Sequence, residues 1–347
     1  MDYVELRKEV IEAGLLERQY GYYLFKMLFN FALLALSIFI LATVDNFALQ
    51  LLNAVFMAFV FVQFAGLMHD SQHQQIFKSA SKNDFAGMIA GNLVLAVSSG
   101  AWKLKHNEHH ISPNDVDDDP DINISVLAYS EEQALEKKGI NRLITKYQAF
   151  LWFPILTFAA VSKRKSLLAT LLQNLNTKKI KHVYVELFLI ILSFGLLYLW
   201  APLHFLGLWK GLAFIAVNQV FTGLYMGSIF ATNHKAMPLT KKGQILDFAT
   251  RQIITTRNVK GSPLIDFWTL GLNYQIEQHL FPTMPRNNLG KAKKFVEPFC
   301  RQVGIEYYET GFFHSYKEIL QHFHKESAVL RKPRHAAVAP VLIKSAN

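Results

Sequence analysis

Of the 13 histidines in this 347-residue chain, seven stand where their spacing can do chemistry. His69 and His73 are four apart in HDSQH, and His106, His109 and His110 follow at intervals of three and four in HNEHH. On a helix such intervals bring side chains to one face, within reach of a shared ion. A third cluster repeats the spacing with a different composition, Gln275, Gln278 and His279 in YQIEQHLFP, and His234 stands in TNHKAMP. Imidazole binds iron, zinc and copper alike, so residue type does not name the metal. The number of rings is more telling, because it exceeds the three or four ligands of a single zinc site and favours more than one ion. A single HxxxH pair is ordinarily surface or packing, whereas three imidazoles on one helix face repel when protonated and want a common cation. His182, His204, His314, His322, His324 and His335 lack such company and read as solvated.

Elements must carry these clusters to one place. Residues 27–44 hold no charge, and residues 49–68 are interrupted only by Gln50, Asn53 and Gln63. Residues 183–203 and 208–232 form two more apolar stretches, with Glu186 near the start of the first and Asn218, Gln219 and Thr222 inside the second. Each can cross a hydrocarbon core of about 30 Å as a helix. Polar side chains within a span ordinarily face the bundle, which is the reading for Asn218, Gln219 and Thr222. Loops 45–48 and 202–207 contain no Lys or Arg, while segment 69–182 has 14 and the chain beyond residue 231 has 17. Both termini and the clusters are thereby expected on the cytoplasmic side. Residues 1–26, with Leu6, Val10, Ile11 and Leu15 among charges, read as an amphipathic lead-in and not as a cleavable signal.

The composition follows from this layout. Hydrophobic residues make up 51%, charged residues 18%, and net charge is +10, the average of apolar spans and a basic cap. A disordered chain, a collagenous repeat and a disulfide scaffold are excluded, since Cys300 is the single cysteine. The positive charge fits an anionic lipid surface, with no nucleic-acid role.

Two further apolar stretches need placing, residues 85–102 with three glycines and residues 147–161 with Pro154. If 85–102 crossed the bilayer, HDSQH and HNEHH would face opposite compartments and share no site, so both stretches are expected to be re-entrant or interfacial. The expected architecture is all-α, an integral membrane four-helix transmembrane bundle with a cytoplasmic helical cap holding a dimetal site. Its parts are an N-terminal cytoplasmic amphipathic segment (1–26), transmembrane hairpin 1 (27–68), a cap with interfacial helices and the first two clusters (69–182), hairpin 2 (183–232), a cap with the third cluster (233–326) and a flexible tail (327–347). The acidic run Asp117, Asp118, Asp119 and Asp121 is assigned a structural role.

With these residues in place, the sequence resembles the integral membrane fatty acid desaturases, a histidine-box family of di-iron enzymes, from about residue 25 to 294. HDSQH, HNEHH followed by PNDVDDDPDI, NHKAMP, and the long run RNVKGSPLIDFWTLGLNYQIEQHLFPTMPR at 257–286 carry the resemblance. The last is similar to the branch whose third box begins with Gln, usually QxxHH, and it departs from that pattern at Gln278, where a histidine is expected. The resemblance implies O2-dependent removal of two hydrogens from an acyl chain, leaving a cis double bond. It implies two Fe ions held by His69, His73, His106, His109, His110, His234 and His279, with Gln275 and Gln278 ligating through an amide oxygen, through water, or not at all. Asp70, Glu108 and Glu277 are placed to orient imidazoles. The substrate would be acyl-CoA or an acyl-lipid. Residues 1–26 are too short for a haem domain, so electrons are expected from a separate ferredoxin or cytochrome b5 type donor. Two rival readings are a hydroxylase or ketolase of the same superfamily and, in another class, a membrane metal transporter or sensor. The latter would put ionisable groups through the spans, and here the histidines keep to one mouth.

Overall fold

The computed structural model describes residues 2–241 and 243–331. In chain order the helices are α1 (Tyr3–Glu12), α2 (Tyr20–Thr43), α3 (Phe47–Gln72), α4 (Ala80–Gly87), α5 (Ser99–Ile111), α6 (Glu131–Glu136), α7 (Gly139–Lys146) and α8 (Gln148–Leu156). They continue as α9 (Ala159–Gln173), α10 (Val183–Leu206), α11 (Leu208–His234), α12 (Phe248–Ile254), α13 (Pro263–Trp268), α14 (Gln275–Leu280), α15 (Arg286–Val303) and α16 (Phe312–Glu326). A two-residue parallel pairing of β1 (Asn258–Val259) with β2 (Glu309–Thr310) is the only named sheet among the described residues. The protein is all-α, as its apolar periodicity requires.

Four helices, α2, α3, α10 and α11, are long and apolar enough to span a bilayer. The apolar window of α3 is 72% buried inside the protein, against 22%, 28% and 33% for α2, α10 and α11. Helix α3 is therefore the axis of the bundle, and the other three turn apolar side chains such as Phe39, Phe188 and Ile191 outward. Polar groups in the spans are used for packing. Gln50 reaches back to the carbonyls of Leu41 (3.4 Å) and Val44 (2.7 Å), satisfying acceptors that the end of α2 leaves open. Ser37 and Asn53 bond across the first hairpin (2.8 and 3.0 Å), and the Asn218 amide donates to Ala54 O (3.2 Å).

The stretch expected as one re-entrant helix is two. A π-helical turn, Met88–Val94, extends α4, and the chain then bends by 113° into α5. The corner includes Ala96 in the left-handed region (φ 52). Helix α5, the carrier of HNEHH, thus enters at a steep angle and runs toward the end of α3. Residues 147–161 likewise divide into α8 and the start of α9.

The cap has two apolar cores of its own. Leu6, Val10 and Leu15 pack against Ile276, Leu289 and Val296, which binds the N-terminal segment to α14 and α15. Trp152, Ile319 and Phe323 join α8 to α16. Part of the expected flexible tail belongs to the fold: Ser327 is buried, Leu330 packs with Ala128 and Ala134, and Arg331 donates to Lys146 O (2.9 Å). The rest of that segment, with His335, lies outside the described residues.

Candidate metal centre

Helix α3 ends at the mouth of the bundle with His69 on its last turn and His73 at its C-cap. Helix α5 brings His106, His109 and His110, α11 ends at His234, and α14 supplies Gln275, Gln278 and His279. The structure brings all seven histidines together. Ring nitrogens of His69, His73 and His106 lie within 4.8 Å of one another, and so do those of His109, His234 and His279. His110 joins the two groups, with its Nε2 3.1 Å from that of His106 and its ring stacked on His279 at 4.1 Å.

Tautomers explain what this convergence wants. His109 donates Nδ1–H to Asp119 (2.9 Å), His279 to Gln252 Oε1 (2.7 Å), His69 to Asp70 (3.1 Å) and His234 to Thr255 O (3.3 Å). A neutral ring whose Nδ1 carries the proton presents Nε2 as a bare lone pair. The Nε2 atoms of His73 and His106 stand 2.8 Å apart, those of His109 and His234 3.4 Å, and those of His69 and His279 are buried with no hydrogen-bond partner. Buried acceptors such as the Nε2 atoms of His69, His109, His234 and His279, whose protons are held on Nδ1, are stabilised by cations between them. The donor set fits metal ions.

Electrostatics agree. Burial pushes the His73, His106, His110 and His279 rings well below their ordinary value, with neighbouring imidazoles adding to the effect, so they stay neutral and able to ligate. At His109 burial opposes charging too, but the Asp119 carboxylate and its hydrogen bond hold the ring above its usual value.

The three carboxylates expected to orient imidazoles divide. Asp70 hydrogen-bonds the His69 ring, and its other oxygen meets Arg286 Nη2 at 2.8 Å. Glu108 is exposed, on the side of α5 away from the rings, and makes no hydrogen bond to an imidazole. Glu277 is buried but accepts from Tyr307 (2.6 Å) and Asn258 (2.7 Å), which ties α14 to β1 and not to a ring. Asp119, Gln252, Thr255 and Arg286 were not anticipated in this role. The acidic run was a usable signal for Asp119, which also accepts from Asn114 N (2.8 Å) and so doubles as a loop knot. Nothing in the sequence marked Gln252, on an unremarkable helix more than twenty residues from its ring.

The amides are placed among the imidazoles. Gln275 Nε2 is 3.1 Å from His234 Nε2, and its oxygen accepts from Asn233 (3.0 Å). Gln278 Nε2 is 3.0 Å from His73 Nε2 and 3.5 Å from that of His110, with its Oε1 buried and unpartnered. Trp102, one turn earlier on α5, stacks on His106 at 4.1 Å. Of the histidines read as solvated, His322 is half-buried and bonds Tyr129 O (3.1 Å), because α16 packs that face on the cap.

A family model described as fatty acid desaturase matches residues 46–311. An acyl-lipid (9-3)-desaturase of Physcomitrium patens is 33% identical over 97% of this chain and 65% of its own length. A Delta(6)-fatty-acid desaturase of Caenorhabditis elegans is 29% identical over 91% of the chain and 73% of its own length. A Delta 8-(E)-sphingolipid desaturase of Lachancea kluyveri is 29% identical over 90% of the chain, which spans 57% of that protein.

Proposed function

The chain belongs to the fatty acid desaturase family, and on that premise we propose that it inserts a cis double bond into a fatty acyl chain at a two-iron centre. In balance, R–CH2–CH2–R′ + O2 + 2e⁻ + 2H⁺ gives R–CH=CH–R′ + 2H2O. One observation carries the reading: two groups of imidazoles, each with Nε2 atoms converging in a buried pocket at one end of a membrane bundle. Bound there, iron would supply the strong oxidant that an unactivated C–H bond demands.

In this reading His69, His73, His106 and His110 hold one ion and His109, His234 and His279 the other, with His110 between them and Gln275 and Gln278 beside them. Asp70, Asp119, Gln252 and the Thr255 carbonyl fix ring orientation and the Nδ1–H tautomer of His69, His109, His279 and His234, which keeps those four Nε2 atoms available. Arg286 neutralises Asp70 and holds it in place. Trp102 and the buried rings keep water from the reacting carbons. Both termini and the site lie on the cytoplasmic side by the distribution of Lys and Arg. The basic cap favours a phosphate-bearing acyl carrier, a phospholipid or a coenzyme A ester. Electrons come from a ferredoxin or cytochrome b5 type donor.

Expression in a host with such a donor, followed by lipid profiling of wild type against His109→Ala, tests the reading. A new unsaturated acyl species in wild type alone is expected. A retained hydroxyl would favour the hydroxylase rival, and no product with iron and O2 present would overturn the proposal.

A further inference from the structure

Glu186 is a carboxylate within a membrane span, on the first turn of α10, and only 4% exposed. An ionisable group buried at the mouth of a span is expensive and needs partners that explain it. Its partners all belong to the corner that turns α4 into α5. Ser98 Oγ–H donates to Oε2, Asn92 Nδ2–H donates to Oε2 at 3.1 Å, and Gly100 N–H lies 3.1 and 3.3 Å from the two oxygens. Ser98 is also the N-cap of α5, accepting from Ala101 N at 2.9 Å, and Asn92 Oδ1 accepts from Ser99 N at 3.3 Å. Donors at the start of α5 thus end, directly or through one side chain, on Glu186. The helix dipole adds to the attraction for a negative group there.

The local sequence is shaped around this contact. A Cβ on Gly100 would come within 2.6 Å of Glu186 Oε1 and 2.8 Å of Ile180 Cγ2, so glycine opens the approach to the backbone N–H. Tyr198, further along α10, donates to Val94 O at 3.0 Å and holds the other side of the corner.

We infer that Glu186 is a positioning residue: it pins the N-terminus of α5 to the third span and so aims His106, His109 and His110 into the metal pocket. His106 to His110 lie roughly 9 to 15 Å beyond Gly100 at 1.5 Å per residue, so a small tilt at the corner becomes a comparable displacement of the rings. Asp119 holds the other end of the same helix through His109. The inference rests on the metal-binding reading of these histidines for its consequence, and on hydrogen bonding alone for its cause.

The test uses the full chain purified in detergent, comparing wild type with Glu186→Gln and Glu186→Asp. Co²⁺ serves as a probe whose visible absorption reports ligand geometry, and hydrogen exchange at residues 92–111 is read on the metal-free protein. Glu186→Gln turns a pure acceptor partly into a donor facing donors. It is expected to weaken Co²⁺ binding by about 10- to 100-fold, change the band shape, and speed exchange at 99–111, with Glu186→Asp intermediate because the charge is kept. Asn53→Leu, which breaks a buried pair in the first hairpin, controls for general destabilisation and is expected to leave the band shape unchanged. Unaltered exchange at 99–111 in Glu186→Gln would overturn the inference, and so would an equal change of band shape in Asn53→Leu. If wild type binds no Co²⁺, the metal-centre reading fails, and the exchange data still decide the pin.

Discussion

The two imidazole groups differ in how they are held. In the group of His109, His234 and His279, each ring donates its Nδ1–H to a separate acceptor, a carboxylate, a backbone carbonyl and a side-chain amide. In the group of His69, His73 and His106, only His69 has such an acceptor among the described residues, Asp70. His73 and His106 rest instead on each other, on Trp102 and on Gln278. One pocket is oriented from behind by polar partners, and the other by packing and a neighbouring amide. A ring whose tautomer and angle are fixed loses little freedom when it ligates, so the first group is the better preorganised.

The largest effect expected from this contrast is at His109, which belongs to the well-held group and stands on the helix both groups share. His109→Ala should remove the unsaturated product altogether and lower bound metal by at least half, measured by lipid profiling and by metal analysis of the purified protein. Retained product would mean that the well-held group is dispensable. Next comes Asp119→Asn, which keeps shape and one acceptor but removes the charge behind His109. A loss of about 10- to 100-fold in turnover or metal affinity is expected, against a loss within twofold if Asp119 serves only the loop around Asn114. Gln252→Leu removes a neutral acceptor from His279 while α12 keeps its apolar packing, and should cost about tenfold, near the low end of the same range. Equal effects of Asp119→Asn and Gln252→Leu would remove charge as the reason for the order.

These partners also mark how far the sequence could be read. The spans, the hairpins and the co-location of the rings were legible, because hydropathy and three-and-four spacing are local signals and the requirement of one shared compartment settled the path of residues 85–102. Asp70 was legible because it adjoins His69. Glu108 and Glu277 were misjudged for the same reason: adjacency in sequence says nothing of the side of the helix, and 108 lies on the exposed side while 277 turns toward Tyr307. Gln252 reaches His279 on α14 and Thr255 reaches His234 at the end of α11 through tertiary packing of α12, which no spacing encodes. The corner at Leu95 to Ser98 was hidden as well. Its sequence is apolar and helical in pattern, and the bend is stabilised by Glu186 from a span almost a hundred residues away.

The smallest effect expected is at Gln278, and it bears most directly on the contrast. Gln278 is fully buried, stands on the same helix as His279, and puts its amide 3.0 Å from His73 Nε2. An amide oxygen is a harder and weaker donor to iron than imidazole. The less firmly oriented group is thus also the one with an amide where a ring is expected. Gln278→His replaces the amide by a side chain of similar reach without disturbing Asp119, Gln252 or Thr255. The metal of the first group should then resist a chelator for longer, by up to about tenfold in the concentration needed, with the other metal unchanged. Titration with a chelator, read as metal retained per chain, separates the two. Two distinct losses in wild type that draw together in Gln278→His would tie the inequality to this side chain, and identical titration curves would place its cause in the missing Nδ1 acceptors of His73 and His106.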